Sequence, residues 1–116
     1  MKFSGVMIGS EDPDRLGAFY TEVLGEPAWH EGTWYAWEGN AHLMLGAHSD
    51  VHSSNATPQR IILTFEVDDM DTAFKELTAL GAGVIAEPYQ AEGGPWLATV
   101  TDPDGNYVQI SPPWVE

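Results

Sequence analysis

Between Ser10 and Gly25 the chain reads SEDPDRLGAFYTEVLG, with Leu16, Phe19, Tyr20, Val23 and Leu24 at i, i+3, i+4, i+7 and i+8. That spacing draws one apolar stripe along a helix. The ends are marked too: Asp12 suits the cap, Pro13 the first helical position, Asp14 the positive end of the dipole, and Gly25 the stop. Residues Val67 to Gly83, VDDMDTAFKELTALGAG, repeat the design. There Asp68 or Asp69 caps, Met70, Ala73, Phe74, Leu77 and Leu80 make the stripe, and Gly81 ends it.

Strand-like runs flank both helices. Val6 to Ile8 precede the first, and RIILTFEV, Arg60 to Val67, precedes the second. PAWH, TWYAWE and AHLML follow the first helix; GVIAE, WLATVT and NYVQIS follow the second. Matching Val23-Leu24-Gly25 with Ala79-Leu80-Gly81, and the strands ahead of them, gives an internal offset of about 56 to 57 residues. The pattern therefore predicts one α+β domain spanning 1–116, made of two βαβββ units at 1–47 and 60–116. Residues 48–59, polar and unpatterned up to Pro58, read as the linker.

DPDGN, Asp102 to Asn106, lies between the last two strand-like runs. Pro103 presets a turn dihedral, the two aspartates can accept from nearby backbone N–H groups, and Gly105 tolerates a left-handed conformation. The expectation is a hairpin turn with both acids at an exposed tip, not a catalytic carboxylate pair.

Composition narrows the function classes. The formal net charge is −14, from 18 acidic residues against 4 Lys plus Arg. Such a chain repels nucleic acid phosphates and anionic membrane surfaces, and its field favours cationic small molecules or basic proteins. With no cysteine, disulfides, thiolate metal sites and cysteine nucleophiles are excluded. The first ten residues lack the apolar core of a signal peptide and no run reaches membrane-spanning length, so a soluble, cytoplasmic protein is expected.

FYTEVLG at the end of the first helix, DPDGN-x-x-x-I leading into the last strand, and the duplicated unit together resemble the vicinal oxygen chelate superfamily. Its members include glyoxalase I, bleomycin resistance proteins, extradiol dioxygenases and fosfomycin resistance enzymes. The resemblance covers essentially the whole chain. It implies curved mixed sheets around a cavity, a homodimer that often exchanges modules, and a divalent metal held by His, Gln or Glu from the first and last strands of each unit.

Carried over by position, the four ligand places fall near Gly5, Met44, Ile62 and Gln109. Only Gln109 has a suitable donor, and Met1 to Ser10 contain no His, Asp, Glu, Asn, Gln or Cys. No cofactor is therefore expected; a metal would need an unusual set drawn from His42, Met44, Glu66 and Gln109. His48 and His52 have i, i+4 spacing but sit in a loop-like segment, and His30 has no partner visible in the sequence.

What remains is an aromatic lining. If Gly39-Asn40 makes a two-residue hairpin, Trp37 lies opposite His42 and Tyr35 opposite Met44, all on one face. Tyr107 shares a face with Gln109, leaving Val108 and Ile110 for the core, and Trp96 and Trp29 are neighbours whose facing the pattern leaves open. The expected ligand set is Tyr35, Trp37, His42, Met44, Trp96, Tyr107 and Gln109, suited to a small apolar or cationic molecule. Metal-free members that sequester bleomycin-type antibiotics are similar to this description. The alternative is a metal-dependent lyase or isomerase of glyoxalase type with Glu66 as the only candidate base. Dioxygenase chemistry lacks its two-His-one-carboxylate set, and an acidic face for a basic partner protein is a third reading.

Overall fold

Asp12 starts the first helix as its side chain implies, accepting the Arg15 backbone N–H at 3.2 Å, and Pro13 occupies the first turn. In the computed structural model, which describes residues 1–113, helix α1 runs Pro13–Leu24 and stops at Gly25, whose φ of 90° is left-handed. Helix α2 runs Met70–Ala79 with Asp69 as cap, its side chain accepting the Thr72 N–H at 3.1 Å. Gly81, at φ 87°, turns the chain out of it.

The strands are β1 (Gly5–Ser10), β2 (Trp29–Glu31), β3 (Trp34–Trp37) and β4 (His42–Ala47), then β5 (Leu63–Glu66), β6 (Val84–Gln90), β7 (Trp96–Thr101) and β8 (Tyr107–Ser111). A 3₁₀ turn at Pro58–Arg60 lies in the predicted linker. Two four-stranded mixed sheets result, ordered β1-β4-β3-β2 and β5-β8-β7-β6, so the fold is α+β with the same βαβββ topology used twice. The chain divides into two compact units, Met1–Ser53 and Ser54–Glu116.

In the first unit, Leu16, Phe19 and Tyr20 of α1 pack on Tyr35, Trp37, Leu43 and Leu45 of the sheet, all buried. Each fully buried large side chain here contributes about 2–3 kcal/mol of apolar transfer. Gly17 permits the close approach: a Cβ there would stand 2.7 Å from the Tyr35 ring. In the second unit the core is aliphatic, Leu77 of α2 with Ala98, Val100, Val108 and Ile110. Its edge strand β6 contains Pro88 and two register irregularities, which blunt an otherwise exposed row of backbone groups. Among the described residues no helix is long and apolar enough to cross a membrane.

Candidate functional site

Each sheet has one face under its helix and one open face, and strand parity decides which side chain goes where. In the first unit Leu43 and Leu45 are buried against the helix, so His42, Met44 and Gly46 point the other way. β1 pairs with β4 in parallel, Met7 beside Met44 and Gly5 beside His42. β3 pairs with β4 antiparallel, Ala36 opposite Met44, and β2 places Trp29 opposite Ala36. The open face therefore displays Met7, Trp29, Trp34, Ala36, His42 and Met44. Met7 is 50% exposed and Trp29 47%, large for apolar side chains on regular strands.

This register corrects the predicted hairpin. Trp37 pairs with Leu43 and Tyr35 with Leu45, one residue away from the two-residue turn at Gly39-Asn40. A slip of one residue reverses every side chain on the strand, so Tyr35 and Trp37 face the helix instead of sharing a face with His42 and Met44. Both are held there by hydrogen bonds: the Tyr35 hydroxyl donates to Asp14 at 2.8 Å and Trp37 Nε1–H to the Gly25 carbonyl at 2.8 Å. The Asp14 carboxylate, by accepting that hydrogen bond, raises the Tyr35 phenol above its ordinary pKa, with burial adding to the shift. His30, without a partner in the sequence, stacks on Tyr35 at 3.9 Å between ring centroids and bonds through Nε2 to the Gly32 carbonyl at 3.1 Å. Tyr35 in turn stacks on Trp37, and Trp37 tilts against Tyr20.

In the second unit the open face is polar. Thr64 pairs with Gln109 and Glu66 with Ser111 along β5 and β8, while Thr99 and Thr101 on β7 lie opposite Gln109 and Tyr107. Tyr107 and Gln109 thus share the open face, and Val108 and Ile110 are buried beneath the helix. The Gln109 amide donates to the Thr64 hydroxyl at 3.2 Å. Glu66 stands at the far end of this face, exposed. Trp96, 48% exposed, has the parity of Ala98 and Val100, so it lies on the opposite side of its sheet from Tyr107 and Gln109.

DPDGN is a turn, but its acids are not at an exposed tip: Asp102 is 4% and Asp104 8% exposed. Asp102 Oδ1 accepts the backbone N–H groups of Asp104 and Asn106 at 2.9 and 3.0 Å, and its Oδ2 accepts the Asn106 amide at 2.8 Å. Gly105, at φ 84°, closes the loop. Asn55, from the segment read as unpatterned linker, donates its backbone N–H to the Asp104 carbonyl and its amide to Asn106 Oδ1, each at 2.9 Å. Only the Asn55-x-Thr57 side-chain turn, with Thr57 N–H donating to Asn55 Oδ1, could have marked this residue in the sequence.

The residues from 5 to 111 match the model of the glyoxalase-like domain family. The chain belongs to that family. Among solved structures, it is similar to a glyoxalase/bleomycin resistance protein/dioxygenase family enzyme from Burkholderia phytofirmans PsJN, with 22% identity, a TM-score of 0.79, and 97% of this chain and 98% of that one covered. A lactoylglutathione lyase from Agrobacterium tumefaciens matches with 20% identity, a TM-score of 0.72, and coverage of 96% and 92%. A glyoxalase-related enzyme from Fulvimarina pelagi matches with 16% identity, a TM-score of 0.79, and coverage of 97% and 88%. These likenesses show the fold. A comparison with curated proteins gave no match.

Membership of the glyoxalase-like family, within the vicinal oxygen chelate superfamily, directs attention to the first and last strands of each unit. Met44 stands beside Met7 and Gln109 beside Thr64, with Gly5 one open-face step from Met7 and Ile62 just ahead of β5. The two units thus present equivalent pairs, two thioethers in one and a hydroxyl with an amide in the other. Thioethers suit soft ions, and Gln109 alone gives a divalent cation one oxygen donor where about three protein ligands are usual. Among the described residues no three His, Cys, Asp or Glu side chains converge. The donor set does not fit the divalent metal that the superfamily implies.

Proposed function

We propose that this glyoxalase-like protein binds a small, largely apolar or cationic molecule without a resident metal, as a sequestering protein. The observation that supports this reading most is the Met7–Met44 pair on the open face of the first sheet, with Met44 at one expected ligand position and Gly5, at another, offering no side-chain donor. Around the pair, Trp29 and Trp34 offer aromatic surface to a planar ligand. Glu31, which shares the face of Trp29, and the net charge of −14 both favour a positive one. The second unit, taken by itself, presents the hydrogen-bonding groups of Gln109, Thr64 and Tyr107 on its own open face.

The test is a thermal-shift screen of aromatic cations, bleomycins included. A ligand present at 100 times its Kd adds about 2.7 kcal/mol to stability, enough to move the melting midpoint clearly. A screen in which no compound stabilises the protein counts against binding. Equilibrium dialysis against Ni, Zn, Mn and Fe(II), followed by metal analysis, addresses the other half: stoichiometric retained metal overturns the metal-free part. A homodimer belongs to the same proposal, and sedimentation equilibrium yielding the mass of one chain would remove it.

A further inference from the structure

At one end of the apolar open face, β1 and β4 place two glycines side by side, Gly9 beside Gly46. Neither position is vacant above. A Cβ on Gly46 would run into the indole of Trp34. A Cβ on Gly9 would stand 2.9 Å from both His48 Cβ and Val51 Cγ2. Gly9 has the parity of Met7 and Gly46 that of Met44, so these covering groups lie on the Met7–Met44 side of the sheet. The segment after β4 therefore folds back over its own sheet. Its turn is held by the Val51 N–H to the His48 carbonyl at 3.0 Å and by the Asp50 N–H to His48 Nδ1 at 3.1 Å.

We propose that Val51 and Trp34 are the specificity-determining end wall of the binding face, seated on the Gly9–Gly46 pair, and that they limit the length of an aromatic cation lying over Met7 and Met44. This rests on the binding reading above and adds to it where the ligand must stop. The glycine pair explains how the wall fits: any side chain at either position would fill the space that the indole and the Val51 methyl occupy. Truncating either wall residue bares part of the glycine floor and lengthens the face at that end, while His48 Cβ still stands over Gly9.

Two measurements test this. In the first, benzyltrimethylammonium and its longer 4-phenylbenzyl analogue are titrated calorimetrically into the protein and into the Val51→Ala and Trp34→Ala variants. The wild type should favour the shorter probe, and each truncation should shift the affinity ratio toward the longer one by about tenfold, the scale of discrimination by a hydrophobic wall. An unchanged ratio in both variants overturns the wall while leaving binding intact, whereas wild type that binds neither probe removes the binding reading itself and the inference with it. The second measurement needs no ligand. Amide exchange at Val51 should accelerate about tenfold or more in Gly9→Ala while exchange in α1 is unchanged; equal Val51 rates in the two proteins would overturn the seating of the wall.

Discussion

The two units share topology, strand order and parallel pairing of first with last strand, yet they distribute their chemistry in opposite ways. The first puts aromatic rings with polar handles inside, Tyr20, Tyr35 and Trp37, and leaves Met7, Trp29 and Met44 on the open face. The second fills its core with aliphatic side chains and leaves Thr64, Glu66, Tyr107 and Gln109 outside. Because alternate residues on a strand serve different faces, one scaffold can change either face without disturbing the other. The duplication therefore provides an apolar platform and a polar one, built on the same backbone.

The largest expected effect tests the aromatic core. Tyr20→Ala removes a fully buried ring and should cost about 4 kcal/mol, while Leu77→Ala, the buried aliphatic contact of α2, should cost about 3 kcal/mol. Urea unfolding measures both, and a larger loss at Leu77 would erase the distinction between the cores. Next comes a device that only the second unit has. Asp102→Ala strips three acceptor contacts from the β7–β8 turn and should cost about 2 kcal/mol. Exchange should quicken at the Asn55 amide, which bonds to that turn; an unaltered Asn55 rate would show that Asp102 does not hold the connecting segment.

Tyr35→Phe sharpens the comparison from the other side, since among the described residues the buried apolar side chains of the second unit are all aliphatic. The loss should be about 1 kcal/mol at neutral pH. The folded-state pKa of Tyr35 is raised, so its stabilisation is fully present below the unfolded value of about 10 and is lost as pH rises through the folded value. Wild type and Tyr35→Phe should converge in alkali; a difference that grows there would contradict the Asp14 bond. The smallest effect belongs to the α2 cap. Hydrogen bonding to the Thr72 backbone lowers the pKa of Asp69, so its contribution is present above the unfolded value of about 4 and disappears as pH falls through the folded one. Asp69→Asn should flatten that acid limb slightly, and an acid limb identical to wild type would show the cap to be inert.

Legibility followed the range of the physics involved. Asp12, Pro13 and Gly25, and likewise Asp69 and Gly81, identify their helices because caps and left-handed stops act within a few residues. DPDGN as a turn, and Tyr107 with Gln109 opposite in parity to Val108 and Ile110, were readable for the same reason. The structure overturns the predicted lining at Trp96, which shares the parity of the buried Ala98 and Val100. It does so too at Tyr35 and Trp37, since a hairpin loop one residue longer leaves the composition unchanged but reverses both faces of β3. Their hydrogen bonds show what decides the register: Trp37 reaches the carbonyl ending α1, and Tyr35 reaches Asp14 across the space Gly17 leaves.

By itself, then, the sequence determined the two βαβββ units, their caps, the acidic surface and the lack of ionic donors on the first strand, all properties of neighbouring residues or of composition. Tertiary structure alone decided that the aromatic ladder is core, that Met7 and Met44 form the open floor, that Asp102 and Asp104 are buried, and that Asn55 bonds to the DPDGN turn. Each of these depends on which residues meet across strands or over long loops. Contacts of that kind are selected by the free energy of packing the whole unit, and no local pattern in the chain encodes it.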